Sequence, residues 1–424
     1  MLKRILCLSA VIVSLASFSA TVAEAQARKP SQALRQVNEE EERVLLSFDK
    51  DLGRGKAQPY EWEERTEILK RFAAQRAQAF KVADWTGGEL RALAALYQTA
   101  EMFGPAVDAF RAFLKEGPRG QEADAARSSL IRALIETERA EEAEKELEDW
   151  SYTPRQDPAV LVARVGLHQD LALLLRDRGK FDRAAYQARN GYNAADSVNF
   201  SRGAVAQLQD LTQRSQMALA ALAIAAFEQA GKKAEGEALS KLVEKYDFAR
   251  QPSLKSLYEK ELVIARLIGR PAPELVVSRW LDTAGMAMSD LRGKVALLDF
   301  WAMWCSPCIA AYPHLRGMQT KYESRGFQVV GVTRYFGRSD AEESLKRDQE
   351  LKSLENYKVK HKLTWPVAIG KMDDPTNDEA YGVTALPTVI LIDRQGRVRH
   401  VKRGIGEYQK LEKQIERLLD EKSQ

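Results

Sequence analysis

The sequence predicts a multidomain protein in which an α-helical repeat region precedes an α/β domain. Three observations carry this. At 424 residues the chain is too long for one hydrophobic core, so two or three domains are expected. From Glu61 to about Arg266, apolar residues recur at helical spacing in Ala-rich stretches with few β-branched runs. At Gly269-Arg270-Pro271-Ala272-Pro273 that pattern stops, and beyond it short apolar runs alternate with helical segments.

Composition narrows the function classes. Apolar residues make up 45% of the chain, as suits a globular protein, and 64 basic residues nearly balance 60 acidic ones. A net charge of +4 over this length is not the footprint of a nucleic-acid binder, and no nucleic-acid partner is expected.

The first element, residues 1–25, reads as a signal peptide. Lys3-Arg4 form a positive start, Ile5 to Ala20 is apolar and small, and Ala23-Glu24-Ala25 offers a cleavage site. The expected location is therefore outside the cytoplasm, in the periplasm or cell envelope. Cleavage would remove Cys7 and leave two cysteines, both in one motif. Residues 26–60 are polar and charged, and predict a short helix and a loop around Gly53, Gly55 and Pro59. The run Glu39-Glu40-Glu41-Glu42 reads as a solvated helix face. The longest later apolar run, Met217 to Phe227, falls short of the ~20 residues that cross a bilayer and reads as a buried helix.

Residues 61–266 form the repeat region. Leu90-x-x-Leu93-Ala94-x-x-Tyr97 is followed by Phe103-x-x-Ala106-x-x-x-Phe110 and then Pro118. These are the offsets of a tetratricopeptide helix pair, with Gly104-Pro105 at the turn. A second copy runs through Leu171-Ala172-x-x-Leu175, Gly179-x-Phe181, Ala184 and Ala188, and a weaker one from Ala220 to Ala238. No pair buries its face alone, so the array must stack as a tetratricopeptide-like solenoid. Its surface reads either as a docking site for a protein partner or as a spacer or dimerisation element. Residues 150–158 interrupt the array, and Asn199-Phe200-Ser201 matches a glycosylation sequon.

Residues 267–275 read as a linker and 276–424 as the α/β domain. Val295–Phe300 predicts a buried strand, Cys305 to about Ser324 a helix, and Phe327–Val332 a second strand. Ser339-Asp340-Ala341-Glu342 carries a capping-box pattern and predicts a helix start. Trp365–Ile369 predicts a short strand. Thr388–Asp393 and Val398–Lys402, separated by Arg394-Gln395-Gly396-Arg397, predict a hairpin, and Glu407 to Asp420 a final helix.

The chemistry concentrates at Cys305-Ser306-Pro307-Cys308, where a strand runs into a helix. Amides at a helix N-terminus favour negative charge and lower the pKa of the first thiol, and the thiolate is the attacking form. Cys305 is the expected nucleophile and the more exposed member, and Cys308, one turn on, can close back on it in two-electron exchange. Zinc would need four ligands, and the chain has three Cys and four scattered His, so no metal is expected. Asp299 sits in an apolar strand six residues before Cys305. Desolvation should raise its pKa and suit it to take a proton from Cys308. A hydrogen-bonded strand-end Asp is the competing reading. Trp301 and Trp304 are expected to pack around the thiols and to give a hydrophobic docking face. Pro387 can be read simply as the first residue of a strand.

The segment Asp299-Phe300-Trp301-Ala302-x-Trp304-Cys305-x-Pro307-Cys308 resembles the active site of the thioredoxin superfamily. Leu291-Arg292-Gly293-Lys294 and Gly382-Val383-x-x-Leu386-Pro387-Thr388 are similar to the TlpA/ResA-type thiol–disulfide oxidoreductases. The resemblance covers about residues 270–424. It implies an α/β thioredoxin-like fold, a redox-active Cys305–Cys308 disulfide in place of any cofactor, and a cis Pro387. Such a proline would expose the backbone of Leu386 to an extended substrate. It supports Asp299 as acid–base group, although many TlpA-type proteins carry Asn there. It also implies disulfide or dithiol protein substrates and an electron donor of the DsbD or CcdA type. Peroxide reduction is not expected, because Ala302 stands where peroxiredoxins need Thr or Ser. The expected function is reduction of disulfides in exported proteins. The alternative is a docking scaffold in the envelope with an accessory thioredoxin-like domain.

Overall fold

A computed structural model describes residues 28–53, 62–150, 158–196, 206–372 and 374–421. The expected signal segment, the sequon at 199–201 and most of the 150–158 interruption lie outside these residues. The described chain divides into two compact units, one up to Glu142 and one from Ala143 onward.

The first unit is helical: α1 (Pro30–Gly53), α2 (Trp62–Ala77), α3 (Gly87–Thr99), α4 (Phe103–Lys115), α5 (Gly120–Glu136) and the start of α6 (Ala140–Asp149). The short helix expected within 26–60 is instead a 24-residue helix. Pro30 opens it without losing a needed amide, and no Gly or Pro interrupts it before Gly53. Glu39, Glu41 and Glu42 do lie on its exposed face. α3 and α4 pack as the spacing predicted. Leu90, Leu93 and Tyr97 are buried with Ala106, Val107 and Phe110. The Tyr97 hydroxyl donates to the Phe80 carbonyl at 2.7 Å.

The second unit begins with α7 (Pro158–Asp177), α8 (Phe181–Asp196), α9 (Ala206–Gln229), α10 (Lys233–Glu244) and α11 (Pro252–Leu267). Met217 and the run Leu219 to Phe227 are buried in α9, and no helix among the described residues is long and apolar enough to cross a membrane. α7, α8 and α9 approach closely at Gly191, where a Cβ would lie 2.8 Å from the Cβ of His168 and 3.0 Å from both Leu219 methyls. His168 Nδ1 lies 2.9 Å from Gln187 Oε1, and Gln187 donates to Glu144 at 2.9 Å. Burial lowers the His168 pKa to about 4, so the ring is neutral there.

The sheet follows: β1 (Arg279–Leu281), β2 (Val295–Phe300), α12 (Ser306–Tyr322), β3 (Phe327–Arg334), α13 (Arg347–Lys360), β4 (Val367–Gly370), α14 (Thr376–Ala380), β5 (Thr388–Ile392), β6 (Val398–Arg403) and α15 (Tyr408–Asp420). The strand order is β1-β4-β3-β2-β5-β6, with β2, β3 and β4 mutually parallel in sequence of pairing and the others antiparallel. This is a thioredoxin-like mixed sheet. One face packs Val295, Leu297 and Trp301 against helical residues including Leu315, Leu354 and Ile415. The other packs Leu298, Phe300 and Ile390 against Leu267, Ile268 and Tyr381.

The helix expected at Ser339 does not form. The capping hydrogen bonds are made, since Ser339 Oγ accepts from Ala341 and Glu342 at 3.1 Å, but the chain turns back and Leu345 donates to the Gly337 carbonyl. The helix begins only at Arg347, where Gln349 caps the Lys346 amide at 3.0 Å. Residues 267–275 are seated on the β5–β6 hairpin. Gly269 donates to Val398, Ala272 to Gly396, and the Tyr381 hydroxyl to Pro273. The helices are tied to the same edge. His400 Nδ1 on β6 lies 3.3 Å from Asp177 Oδ2 at the end of α7, and Arg403 pairs with Glu261 of α11 at 2.5 Å. Gly382 (φ +65°) is pressed on α11, since a Cβ there would lie 2.7 Å from Ile264 Cγ1 and 3.3 Å from the Lys260 carbonyl.

Candidate active site

β2 is buried along its whole length and delivers the chain to the motif. Alternation puts Val295, Leu297, Asp299 and Trp301 on the face covered by α12. Cys305 is the N-cap of α12, and its sulfur accepts from the Cys308 amide at 3.2 Å. Cys305 and Cys308 form a disulfide, S–S 2.05 Å. Cys305 is more enclosed than expected, retaining 4% of its surface, while Cys308 retains none. Both belong to the core cluster that includes Trp301, Tyr312 and Leu315. The helix passes through Pro313 without ending.

Asp299 is in register with Gly331 of β3 and Val389 of β5. It is buried, and neither carboxylate oxygen has a hydrogen-bond partner among the described residues. Without such partners, desolvation dominates and raises its pKa to about 7. Gly331 is required beside it, because a Cβ would lie 2.9 Å from Trp301 Nε1 and 3.2 Å from both Trp365 Nε1 and Val367 Cγ2. Trp301 stacks on Tyr357 (5.2 Å between centroids, 12°) and meets Tyr312 edge-on at 6.1 Å. Burial pushes the Tyr357 phenol up to about 12 and raises Tyr312 well above its ordinary value, so both phenols of this wall stay neutral.

Trp304, by contrast, is 37% exposed. Phe336 meets its ring edge-on at 5.5 Å, and the Arg338 guanidinium lies 4.2 Å over it. The Leu386–Pro387 peptide is cis. Pro387 is anchored by its carbonyl, which accepts from Gly404 at 2.8 Å, while Leu386 makes no backbone hydrogen bond among the described residues. Trp304 and Leu386 meet at an open cavity of about 330 Å³, walled also by Phe300 and Phe336. Its polar side holds Thr333, and Arg334, whose Nε donates to Asp378 Oδ2 at 3.2 Å. The structure thus gathers all six candidate residues at one end of the sheet.

Sequence reasoning missed Thr333, Arg334, Phe336 and Asp378. Ending the second strand at Val332 hid Thr333 and Arg334, Phe336 lies two residues beyond the strand's end, and Asp378 lies on a five-residue helix too short to predict. It also missed Glu350, a fully buried carboxylate that accepts from the Phe336 and Gly337 amides at 2.8 and 2.9 Å and fixes the wall of the cavity. Among the described residues, no three His, Cys, Asp or Glu side chains are grouped to hold a metal ion.

The profile of the AhpC/TSA family matches residues 268–401. Thiol-disulfide oxidoreductase ResA of Bacillus anthracis is 35% identical over 143 residues, which are 34% of this chain and 72% of that protein. The chain belongs to the ResA-type thiol–disulfide oxidoreductases. ResA of Geobacillus thermodenitrificans is 31% identical over 137 residues, covering 32% of this chain and 70% of its own length. A solved structure of a thiol-disulfide isomerase from Corynebacterium glutamicum, 26% identical, covers 36% of this chain and 98% of its own, with a TM-score of 0.32. Like the ResA proteins it matches, this chain is an oxidoreductase, and about two thirds of it lie outside these alignments.

Proposed function

We propose that this ResA-type protein reduces disulfides of exported proteins through the Cys305–Cys308 dithiol. The single observation that carries the reading is a cysteine pair at a helix N-terminus, on the same buried face as a carboxyl with no hydrogen-bond partner among the described residues. In the reduced protein the Cys305 thiolate attacks a substrate disulfide, one substrate thiol leaves, and a mixed disulfide forms. Asp299 takes the proton of Cys308. The Cys308 thiolate attacks Cys305 Sγ and releases the second substrate thiol. The sum is a protein dithiol and a substrate disulfide becoming a protein disulfide and two substrate thiols. Trp304 and the main chain at Leu386-Pro387 receive the substrate.

Residues 1–25 are read as the signal that exports the chain to the periplasm or envelope, in keeping with their positive start and Ala-x-Ala end. A reductase outside the cytoplasm needs electrons from across the membrane, and a thiol carrier of the DsbD or CcdA type would restore the dithiol. No metal or other cofactor is invoked. Residues 61–266 are read as a tetratricopeptide-like solenoid with a protein partner of its own. The second reading makes that solenoid the main function and the thioredoxin-like domain an accessory. Replacing Cys305 and Cys308 with Ser separates the two, since a scaffold would keep its function.

The deciding experiment is the reduction potential of the pair, from equilibration of the purified protein against thiol–disulfide buffers. A value near about −270 mV supports the reductase, and one near roughly −120 mV makes the protein an oxidant of exported thiols.

A further inference from the structure

The stretch that carries Leu386 is held from its two ends. On the far side the sheet holds it. The Pro387 carbonyl accepts from Gly404 at 2.8 Å, and Thr388 is in register with both Phe300 and Arg403. The Thr388 hydroxyl also donates to the Ala385 carbonyl at 2.7 Å. On the near side the chain leaves α14 through Gly382. Val383 donates to Asp378 at 2.7 Å and Gly382 to Glu379 at 3.1 Å, which closes the helix with Gly382 left-handed at φ +65°. Between these anchors, Thr384, Ala385 and Leu386 donate no backbone hydrogen bond among the described residues, and all three line the cavity beside Trp304. Gly382 therefore sets where the near end of this stretch lies.

Gly382 is set in turn by α11. A Cβ on it would lie 2.7 Å from Ile264 Cγ1, 3.4 Å from Ile264 Cδ1 and 3.3 Å from the Lys260 carbonyl, so loop backbone rests directly on the helix. Ile264 is buried at this contact. The helix itself is tied on both sides. Arg266 pairs with Glu228 of α9 at 2.7 Å, Gln229 of α9 donates to the Ile268 carbonyl at 2.7 Å, and Glu261 takes Arg403 of β6. Close-packed contacts of this kind yield little and transmit displacement. Ile264 precedes residues 268–401, which the family profile matches, and belongs to the helices that the exchange reaction leaves without a role.

We propose that Ile264 is a positioning residue for substrate binding. Its side chain, pressed on Gly382, holds the 383–386 stretch where the Leu386 backbone can pair with an extended substrate. The assignment rests on the oxidoreductase reading above and gives the last helix before the sheet a part in it. Ile264 touches neither sulfur, so it acts on binding and not on the exchange of electrons.

The test uses the reduced full chain in single turnover, followed by tryptophan fluorescence. One substrate is the symmetric disulfide of a short cysteinyl peptide. The other is hydroxyethyl disulfide, which has no peptide backbone to pair. Ile264→Ala should raise the half-saturating peptide concentration about fivefold, the worth of one backbone hydrogen bond, with the limiting rate and the small disulfide within about twofold of wild type. Ile264→Val keeps a carbon against Gly382 and should bind the peptide within about twofold of wild type. Gly382→Ala pushes the stretch off α11 and should also weaken the peptide alone. Adding Ile264→Ala to it makes room for the methyl and should recover part of that loss, a non-additivity expected of groups in contact. Unchanged peptide binding in Ile264→Ala, equal slowing of both substrates, or purely additive losses would overturn the proposal. Should Ile264→Ala not fold, Gly382→Ala decides by the same outcomes. If wild type reduces both disulfides and the variants bind peptide normally, the positioning role fails alone. If wild type reduces neither, the oxidoreductase reading fails as well.

Discussion

Replacing Asp299 with Asn should change stability in a way that depends on pH. The carboxyl is buried without a hydrogen-bond partner among the described residues, and its pKa rises from 3.8 to about 7 on folding. A raised carboxyl pKa means that the folded state binds more protons than the unfolded state between those two values. Stability from this group is therefore complete below about pH 4, falls as pH rises, and is fully lost above about pH 7. At about 1.4 kcal/mol per pH unit, the cost of the ionised group reaches about 4 kcal/mol at pH 8 and about 1.5 kcal/mol at pH 5. Asparagine has no such dependence, so any cost of its own buried amide is the same at both values. The gain from Asp299→Asn should be about 3 kcal/mol larger at pH 8 than at pH 5. Urea unfolding of the oxidised protein at the two pH values, followed by tryptophan fluorescence, reads this difference. A gain that stays constant within about 1 kcal/mol would show a solvated or hydrogen-bonded carboxyl, and would remove the basis for giving Asp299 the proton of Cys308.

Four further outcomes are expected. Cys308→Ser should accumulate a mixed disulfide between Cys305 and substrate, visible as a mass adduct, while Cys305→Ser should give none. Gly331→Ala forces a methyl to 2.9 Å from Trp301 and should cost about 1–3 kcal/mol, seen as a lower urea midpoint. Gly191→Ala presses on His168 and Leu219 and should cost a similar ~1–3 kcal/mol, whereas Ala at the unencumbered Gly166 should cost nothing comparable. Glu350→Ala leaves the Phe336 and Gly337 amides without their acceptor and should cost roughly 1–3 kcal/mol per buried group, with faster proteolysis of the 335–346 loop.

The sequence made the centre of the site legible and left its rim obscure. Asp299 stood out because a charge in a wholly apolar strand needs a cause, and Cys305 because a thiol at a strand-to-helix junction has one. Both signals are local in the chain. The rim depends on distant partners. Ser339 makes the hydrogen bonds its pattern promised, yet Glu350, eleven residues on, decides where the loop goes. β1 has only three residues, and pairing with β4 across the fold creates it. Gly331 looks like an ordinary strand glycine until two indoles arrive from Trp301 and Trp365. The length of α1 is hard to read from sequence because an acidic run on a polar helix carries little periodic apolar signal.

The seam between α11 and the sheet bears on how this protein can be cut. A fragment starting at the Gly-Pro stretch near 269 would look natural from sequence, and would match the family profile over 268–401. It would also strip Ile264 and Lys260 from Gly382, and Glu261 from Arg403. The strand bearing His400 would lose Asp177, and the loop leading to Leu386 would lose its backing. A crystallisation or display fragment should therefore begin upstream of Pro158, so that α7 and α11 travel with the sheet they brace.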